Sequence, residues 1–233
     1  MRGRVQPRPL AEVADAAVRV FTAKGFRPAG ISDVARELGL SHGAVYTYAD
    51  SKQALLYLAL LRVLDPEAAA GLPTPVVAPP NERVIQVVKA WSAARGGLGA
   101  LENLFSTVPA KSAEEARDEL AQIVDGLYGF IEDNNLALKL FERCSEDLPE
   151  MATWYYIESR RGLLQALGRH LSARIDAGLL RPVPNVPVAA RFIVESIAWF
   201  AMHRHGDPDS AMLSDDDSRR SVRDLVSAAF AAA

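Results

Sequence analysis

From Leu10 onward, apolar residues return at steps of three and four, and glycine or proline repeatedly interrupts the pattern. That period marks one face of an α-helix, whereas a half-buried strand would alternate. The first run, Leu10, Val13, Ala16, Ala17, Val20 and Phe21, stops at Lys24 and Gly25 with Phe26 beyond, which predicts a helix closed by a Schellman turn. Alanine and leucine dominate the rest, and β-branched runs are few and short. The chain is therefore expected to be all-α.

Residues 31–50 hold the most informative window. Ile31, Val34, Ala35 and Leu38 describe a short second helix, and Gly39 supplies a residue that tolerates positive φ in the turn. Ser41 stands where an N-cap belongs and opens a third helix over 42–48. Two steeply crossing helices need a small residue where their backbones meet, and Ala35 provides it. Val34, Leu38, Leu40, Val45 and Tyr48 supply the apolar positions between them. The third helix is then free to offer its N-terminal side chains to base edges in a major groove. Asp50 or Ser51 caps a fourth helix, Asp50 and Gln53 having capping-box spacing, and Pro66 ends it.

The net charge of −3 argues, taken whole, against a nucleic-acid partner. The average hides an asymmetry. Through Lys52 there are eight lysines and arginines against five acids, a net +3, and the remainder carries −6. A basic head on an acidic body would meet a polyanion head-first. Arg2, Arg4 and Arg8 form an arm that either reaches a minor groove or is a plain tail.

Beyond the head, Pro66, Gly71, Pro73, Pro75, Pro79 and Pro80 mark residues 65–80 as a linker. Helices are expected over 81–95, up to Ser106 after the glycines at 96, 97 and 99, over 113–133, and over 136–145. Asp147 and Glu150, at capping-box spacing around Pro149, open a long helix to Ala177. Two more run over 188–205 and from Ser214 to Ala231. The single cysteine, Cys144, excludes an internal disulfide and a cysteine-based metal cluster. No run reaches the ~18 apolar residues of a membrane span, and Met1 to Pro9 lacks the apolar core of a signal peptide, so a cytoplasmic protein without a membrane partner is expected.

The stretch AAVRVFTAKGFRPAGISDVARELGLSHGAVYTYADSKQALL resembles the N-terminal domain of the TetR family of regulators. The likeness joins F-x-x-K-G-F, D-V-A, G-L-S-x-G-x-V-Y and S-K-x-A-L-L in one order and covers about a fifth of the chain. It implies a three-helix helix-turn-helix DNA-binding domain over 1–52 and a larger helical ligand-binding and dimerisation domain over 53–233. It places Ser41, Tyr46, Tyr48 and Lys52 at phosphates, and His42, Gly43, Ala44 and Thr47 near base edges, with Gly30 and Ser32 completing the DNA-facing set. Packing in the core stays open for Tyr46 and Tyr48, and simple solvation for Lys52. Three departures matter. Gly30 stands where the family usually has a capping Thr or Ser that meets a phosphate. His42 and Ala44 replace Lys and Thr. Ala49 replaces Phe and leaves a hole that another side chain must fill.

The resemblance further implies a homodimer on a double-stranded operator, controlled by a small-molecule effector, with no cofactor or metal. Such heads normally work in two-fold pairs. Phe192, Ile193, Ser196, Phe200, Leu225, Ala229 and Phe230 are the expected dimer residues, against the alternative of internal core. Trp91, Phe105, Leu127, Phe130, Phe141, Trp154, Tyr155, Tyr156 and Trp199 are the candidate lining of a ligand chamber, each alternatively a core residue. Two other readings remain. An architectural DNA binder would share the head. A helical enzyme finds no support in G-x-S-x-G, H-E-x-x-H, C-x-x-C or P-loop patterns, none of which occurs, so no catalytic residue is assigned.

Overall fold

The computed structural model describes residues 8–94, 105 and 110–232, and these are helical apart from turns and two isolated β-bridges. The helices are α1 (Leu10–Lys24), α2 (Ile31–Leu38), α3 (His42–Val45), α4 (Lys52–Leu64), α5 (Pro66–Ala70), α6 (Asn81–Ala94), α7 (Ala113–Asp133), α8 (Asn135–Ser145), α9 (Pro149–Ala152), α10 (Arg161–Asp176), α11 (Val186–Ala201) and α12 (Asp215–Phe230). Arg2, Arg4, the glycine run at 96–99 and, apart from Phe105, the helix expected before Ser106 lie outside the described residues. The chain divides into two compact units, Met1–Ala94 with Leu136–Tyr155, and Arg95–Asn135 with Tyr156–Ala233. Among the described residues no helix is long and apolar enough to cross a membrane.

In unit one, α1 and α4 pack side by side around Phe21, Leu55 and Leu58, all fully buried. Arg62 of α4 reaches across to Asp15 of α1 at 2.7 Å, and that carboxylate raises the guanidinium's pKa. The end of α1 differs from expectation. Gly25 has φ 83° and ψ 176°, which is not the left-handed conformation of a Schellman turn but a region essentially restricted to glycine. The cause is a close approach: a Cβ on Gly25 would lie 3.2 Å from Asp147 Oδ2 and 3.3 Å from the Arg143 carbonyl. The expected apolar contact survives, with the Phe21 and Phe26 rings 6.0 Å apart.

Asp147 does not cap the helix that follows it. Leu148 is the N-cap of α9, without a side-chain bond, and the Asp147 carboxylate instead accepts the Arg27 N–H at 2.6 Å. Beyond α9 the long helix is not uniformly α either. Residues Thr153–Arg160 run as a π-helix before α10 begins.

The segment 65–80 is more than a linker. Asp65 caps α5 by accepting the Ala68 N–H at 3.0 Å. Further on, Val76 donates its N–H to the Tyr48 carbonyl at 2.7 Å, and its own carbonyl accepts the Asp50 N–H at 3.0 Å. This bridge sets Val76, 1% exposed, beside Ala49, also 1% exposed. Val76 thus occupies the space that a small residue at 49 opens.

Unit two packs α7, α10, α11 and α12 together. Arg219 of α12 donates to the Asp125 carbonyl at 2.9 Å and lies 5.5 Å over the Tyr128 ring, joining α12 to α7. A polar cluster is buried between α7 and α10. Arg174 donates twice to Glu119, at 2.7 Å each, and that pairing raises the guanidinium's pKa. His170 Nε2 lies 3.6 Å from Glu119 and has no hydrogen-bond partner among the described residues. Burial pushes the imidazole below its ordinary 6.5, against the pull of Glu119.

This burial makes the fold sensitive to acid. As pH falls through about 6.5, the unfolded chain takes up a proton that folded His170 resists, so stability drops. His170→Leu is expected to flatten the slope of stability between about pH 5 and 6.5, at little cost near pH 7.5, since it removes an unsatisfied buried nitrogen. Denaturant melts of both proteins across that range check it; an unchanged slope would assign the dependence to another group.

Candidate nucleic-acid interface

The turn between α2 and α3 forms for local reasons. Gly39 takes the left-handed conformation, φ 66° and ψ 28°, and the Leu40 N–H reaches back to the Ala35 carbonyl at 2.8 Å. Ser41 Oγ then accepts the Ala44 N–H at 3.2 Å and starts α3. The helix is shorter than expected, because Tyr46–Tyr48 continue it as tight turns, with Tyr48 N–H on the Val45 carbonyl at 2.9 Å. Val45 is fully buried and anchors the helix to the core. His42, Gly43, Tyr46 and Thr47 are exposed and Ala44 half-buried, so α3 and its turn present one outward face.

Each expected DNA-facing side chain has a definite setting. His42 Nδ1 and Ser32 Oγ are 2.9 Å apart, which ties α3 to α2 and leaves Nε2 as the ring nitrogen for an outside partner. The Tyr46 ring meets His42 edge-on at 5.4 Å. Thr47 donates its hydroxyl to the Ala44 carbonyl at 2.7 Å, so only its oxygen lone pairs and methyl group remain to meet DNA. Tyr48 is half-buried, and its hydroxyl accepts the Arg8 N–H at 2.7 Å while keeping its own proton to donate. Lys52 opens α4 as expected, but its ammonium donates to the carbonyls of Arg27 and Ala29, both at 3.1 Å, and sits 4.6 Å over the Phe26 ring. One of its three N–H groups remains for a phosphate.

Gly30 leaves the start of α2 without a side-chain cap. Its N–H goes to Asp33 Oδ2 at 3.0 Å, half of a capping box. Asp33 also receives Lys24 at 2.8 Å and Arg36 at 2.9 Å. Lys24 and the Gly30 N–H, with a smaller share from Arg36, hold the carboxyl down at about 2. Two cations enter the sequence reading only as part of the head's net charge. The side chains of Arg27, before α2, and Arg36, in its last turn, are 81% and 74% exposed.

The ligand candidates fall into two groups. In unit one the rings of Trp91 and Phe141 are 5.6 Å apart, Phe141 and Trp154 5.1 Å, and Trp154 and Tyr155 6.4 Å, so these four pack on one another. In unit two Leu127 is buried, Phe105, Phe130 and Tyr156 are half-buried, and Phe105 lies 6.0 Å from the His170 ring. Trp199 is 38% exposed and stacks edge-on against Phe200 at 4.8 Å. It therefore belongs to the surface of unit two and not to an enclosed lining.

The dimer candidates also separate. Phe192 and Leu225 are 58% and 70% exposed, and Ser196, Phe200 and Ala229 are half-buried. Ile193 and Phe230, expected at the surface, are core residues of unit two at 0% and 4%. The apolar arc on α11 and α12 is wide enough to serve both the core and the surface, and the inner part of it is taken.

Residues 13–57 match the family described as bacterial regulatory proteins, tetR family. Over these residues the chain carries the helix-turn-helix domain of that family. The match runs from α1 into α4 and so contains the whole helix-turn-helix. Solved structures share the helical fold over nearly the whole chain. PfmR, a TetR-family regulator from Thermus thermophilus, is 20% identical, with 92% of this chain and 96% of that chain covered and a TM-score of 0.54. A tetR-family protein from Rhodococcus RHA1 is 18% identical, with 98% and 100% covered and a TM-score of 0.53. The ketosteroid regulator KstR2 of Mycobacterium tuberculosis is 14% identical, with 98% and 97% covered and a TM-score of 0.54. Comparison with curated proteins gives no match.

Proposed function

We propose that the chain is a TetR-family regulator, a cytoplasmic repressor that holds a palindromic operator as a homodimer and releases it when a small apolar or aromatic molecule binds. The observation that carries the DNA-reading half is the outward face of α3, with Val45 buried beneath it and His42, Gly43, Tyr46 and Thr47 exposed. Residues 1–52 read DNA. His42 and Thr47 contact base edges, while Gly43 and Ala44 let the helix enter the groove closely. Ser41, Tyr46, Tyr48 and Lys52 hold phosphates, and the start of α2 at Gly30 and Ser32 adds backbone and hydroxyl donors. Residues 53–233 pair the subunits and receive the ligand. Phe192, Leu225 and Trp199 are the apolar surface available for pairing. Trp91, Phe141, Trp154 and Tyr155, or Phe105, Leu127 and Phe130, are the candidate ligand walls.

Selection of bound sequences from a random DNA pool tests the reading. The expected product is a palindrome whose half-site centres are ~34–36 Å apart. His42→Ala is expected to lose preference at one base position per half-site, worth about 1–3 kcal/mol, with the rest of the site unchanged. An unenriched pool would overturn operator binding, and a full preference in the variant would move base readout elsewhere. The close ring packing of Trp91, Phe141 and Trp154 favours one second reading, a DNA binder without a ligand. Thermal melting against apolar and aromatic metabolites separates the two, because only a ligand that binds the folded state raises the midpoint saturably.

A further inference from the structure

Unit one contains a small cavity of about 110 Å³. Phe26, Leu56, Ala78, Leu148 and Met151 form its apolar wall, while the exposed Gln53, Asn81 and Glu150 stand at its solvent-facing side as polar groups. We propose that this cavity binds one small, mostly apolar molecule of the size of phenol, and that its occupancy loosens the first turn of the reading head. The proposal rests on the reading above that a ligand controls DNA binding, and it names where on this chain that control is exerted.

Size and chemistry select the ligand. An apolar cavity of roughly 150 Å³ stays dry and takes up benzene, so 110 Å³ suits a single six-membered ring and little more. A ring buries its faces against Phe26, Leu56 and Met151. Gln53 or Asn81 can take one hydroxyl.

The walls explain the coupling. The turn after α1 is held by Lys52, which donates to the Arg27 and Ala29 carbonyls, and by Asp147, which accepts the Arg27 N–H at 2.6 Å. Gly25 presses bare backbone against Arg143 and Asp147. Phe26 precedes Arg27 and Leu148 follows Asp147, so the cavity is walled by the immediate neighbours of both ends of that hydrogen bond. A ring that forces Phe26 from Leu148 strains the bond. The turn leads straight into α2 at Ile31, and Ser32 on α2 holds His42 of the reading helix. A molecule that fits the loosened turn better than the tight one draws the population away from the DNA-reading arrangement.

The test uses the full chain, phenol and the selected operator. Phenol is expected to shift the Met151 and Leu148 methyl resonances saturably and to weaken operator binding by about 5- to 150-fold. Ala78→Leu fills the cavity and should abolish both effects while keeping operator affinity without phenol; Val84→Phe fills the same space should the first variant fail to fold. Asp147→Ala, which removes the acceptor of the Arg27 N–H, should still bind phenol but lose most of the change in operator affinity, because the turn is already loosened. No saturable shift in the wild type, or binding unaffected by either filling variant, overturns the site. Binding that leaves operator affinity unchanged overturns the coupling and leaves DNA binding intact. Should no operator be selected, the resonance shifts still decide the site by themselves.

Discussion

Replacing Arg174 with alanine is expected to lower the unfolding free energy by about 3–5 kcal/mol, the cost of removing one partner of a buried ion pair. The two side chains are only 11% and 9% exposed, and the pair is bidentate, so Glu119 would keep its desolvation cost and lose both short hydrogen bonds. Glu119→Ala should cost a similar amount for the mirror reason. The double replacement by apolar residues of similar volume, Glu119→Leu with Arg174→Met, should recover most of the loss, because a buried ion pair and a packed apolar pair are close in free energy. Equilibrium denaturation of the four proteins forms a double-mutant cycle. A single variant that loses less than about 1 kcal/mol would mean that water reaches the pair and screens it.

Phe192→Glu is expected to give monomers and to weaken operator binding by about 10²- to 10⁴-fold, the advantage of holding two half-sites at once. Val188, Phe192 and Trp199 on α11 and Leu225 on α12 are exposed apolar side chains, at 65%, 58%, 38% and 70%. Exposed apolar surface gathered in this way marks an interaction face. The substitution should leave the protomer folded, since the new carboxylate faces water. Phe230→Glu is a different experiment. Phe230 is 4% exposed, so a charge there should unfold unit two, and lost DNA binding would say nothing about pairing. Light scattering with a folded Phe192→Glu variant separates the cases. A wild type that is monomeric at micromolar concentration would defeat the pairing.

The other functional groups of the body are structural. Cys144 is fully buried, and burial pushes its thiol up to about 12, so it is an inert apolar neighbour at neutral pH. Burial likewise raises the Tyr128 hydroxyl, which donates to the Phe200 carbonyl at 3.2 Å and helps to join α7 to α11.

Many features governed by neighbours within about four residues can be read from the chain alone. The left-handed Gly39, the caps at Ser41 and Ser214, and the helix over 113–133 were legible, because a cap or a turn closes on its own first turn, whereas of the two candidates for α4, Asp50 and Ser51, it is Ser51 that caps. The order of motifs through residues 13–57 was legible for the same reason. Only the tertiary structure decided matters that depend on distant residues. Position 25 has room only for glycine because Arg143 and Asp147 lie against it, and Asp147 accepts the distant Arg27 N–H instead of capping its own helix. Val76, in a stretch that reads as a connector, is buried because Ala49 leaves room for it. Ile193 faces inward while its neighbour Phe192 faces water. Periodicity places an apolar arc on a helix, but which part of that arc becomes core depends on how many helices pack against it, and that number is set by the fold.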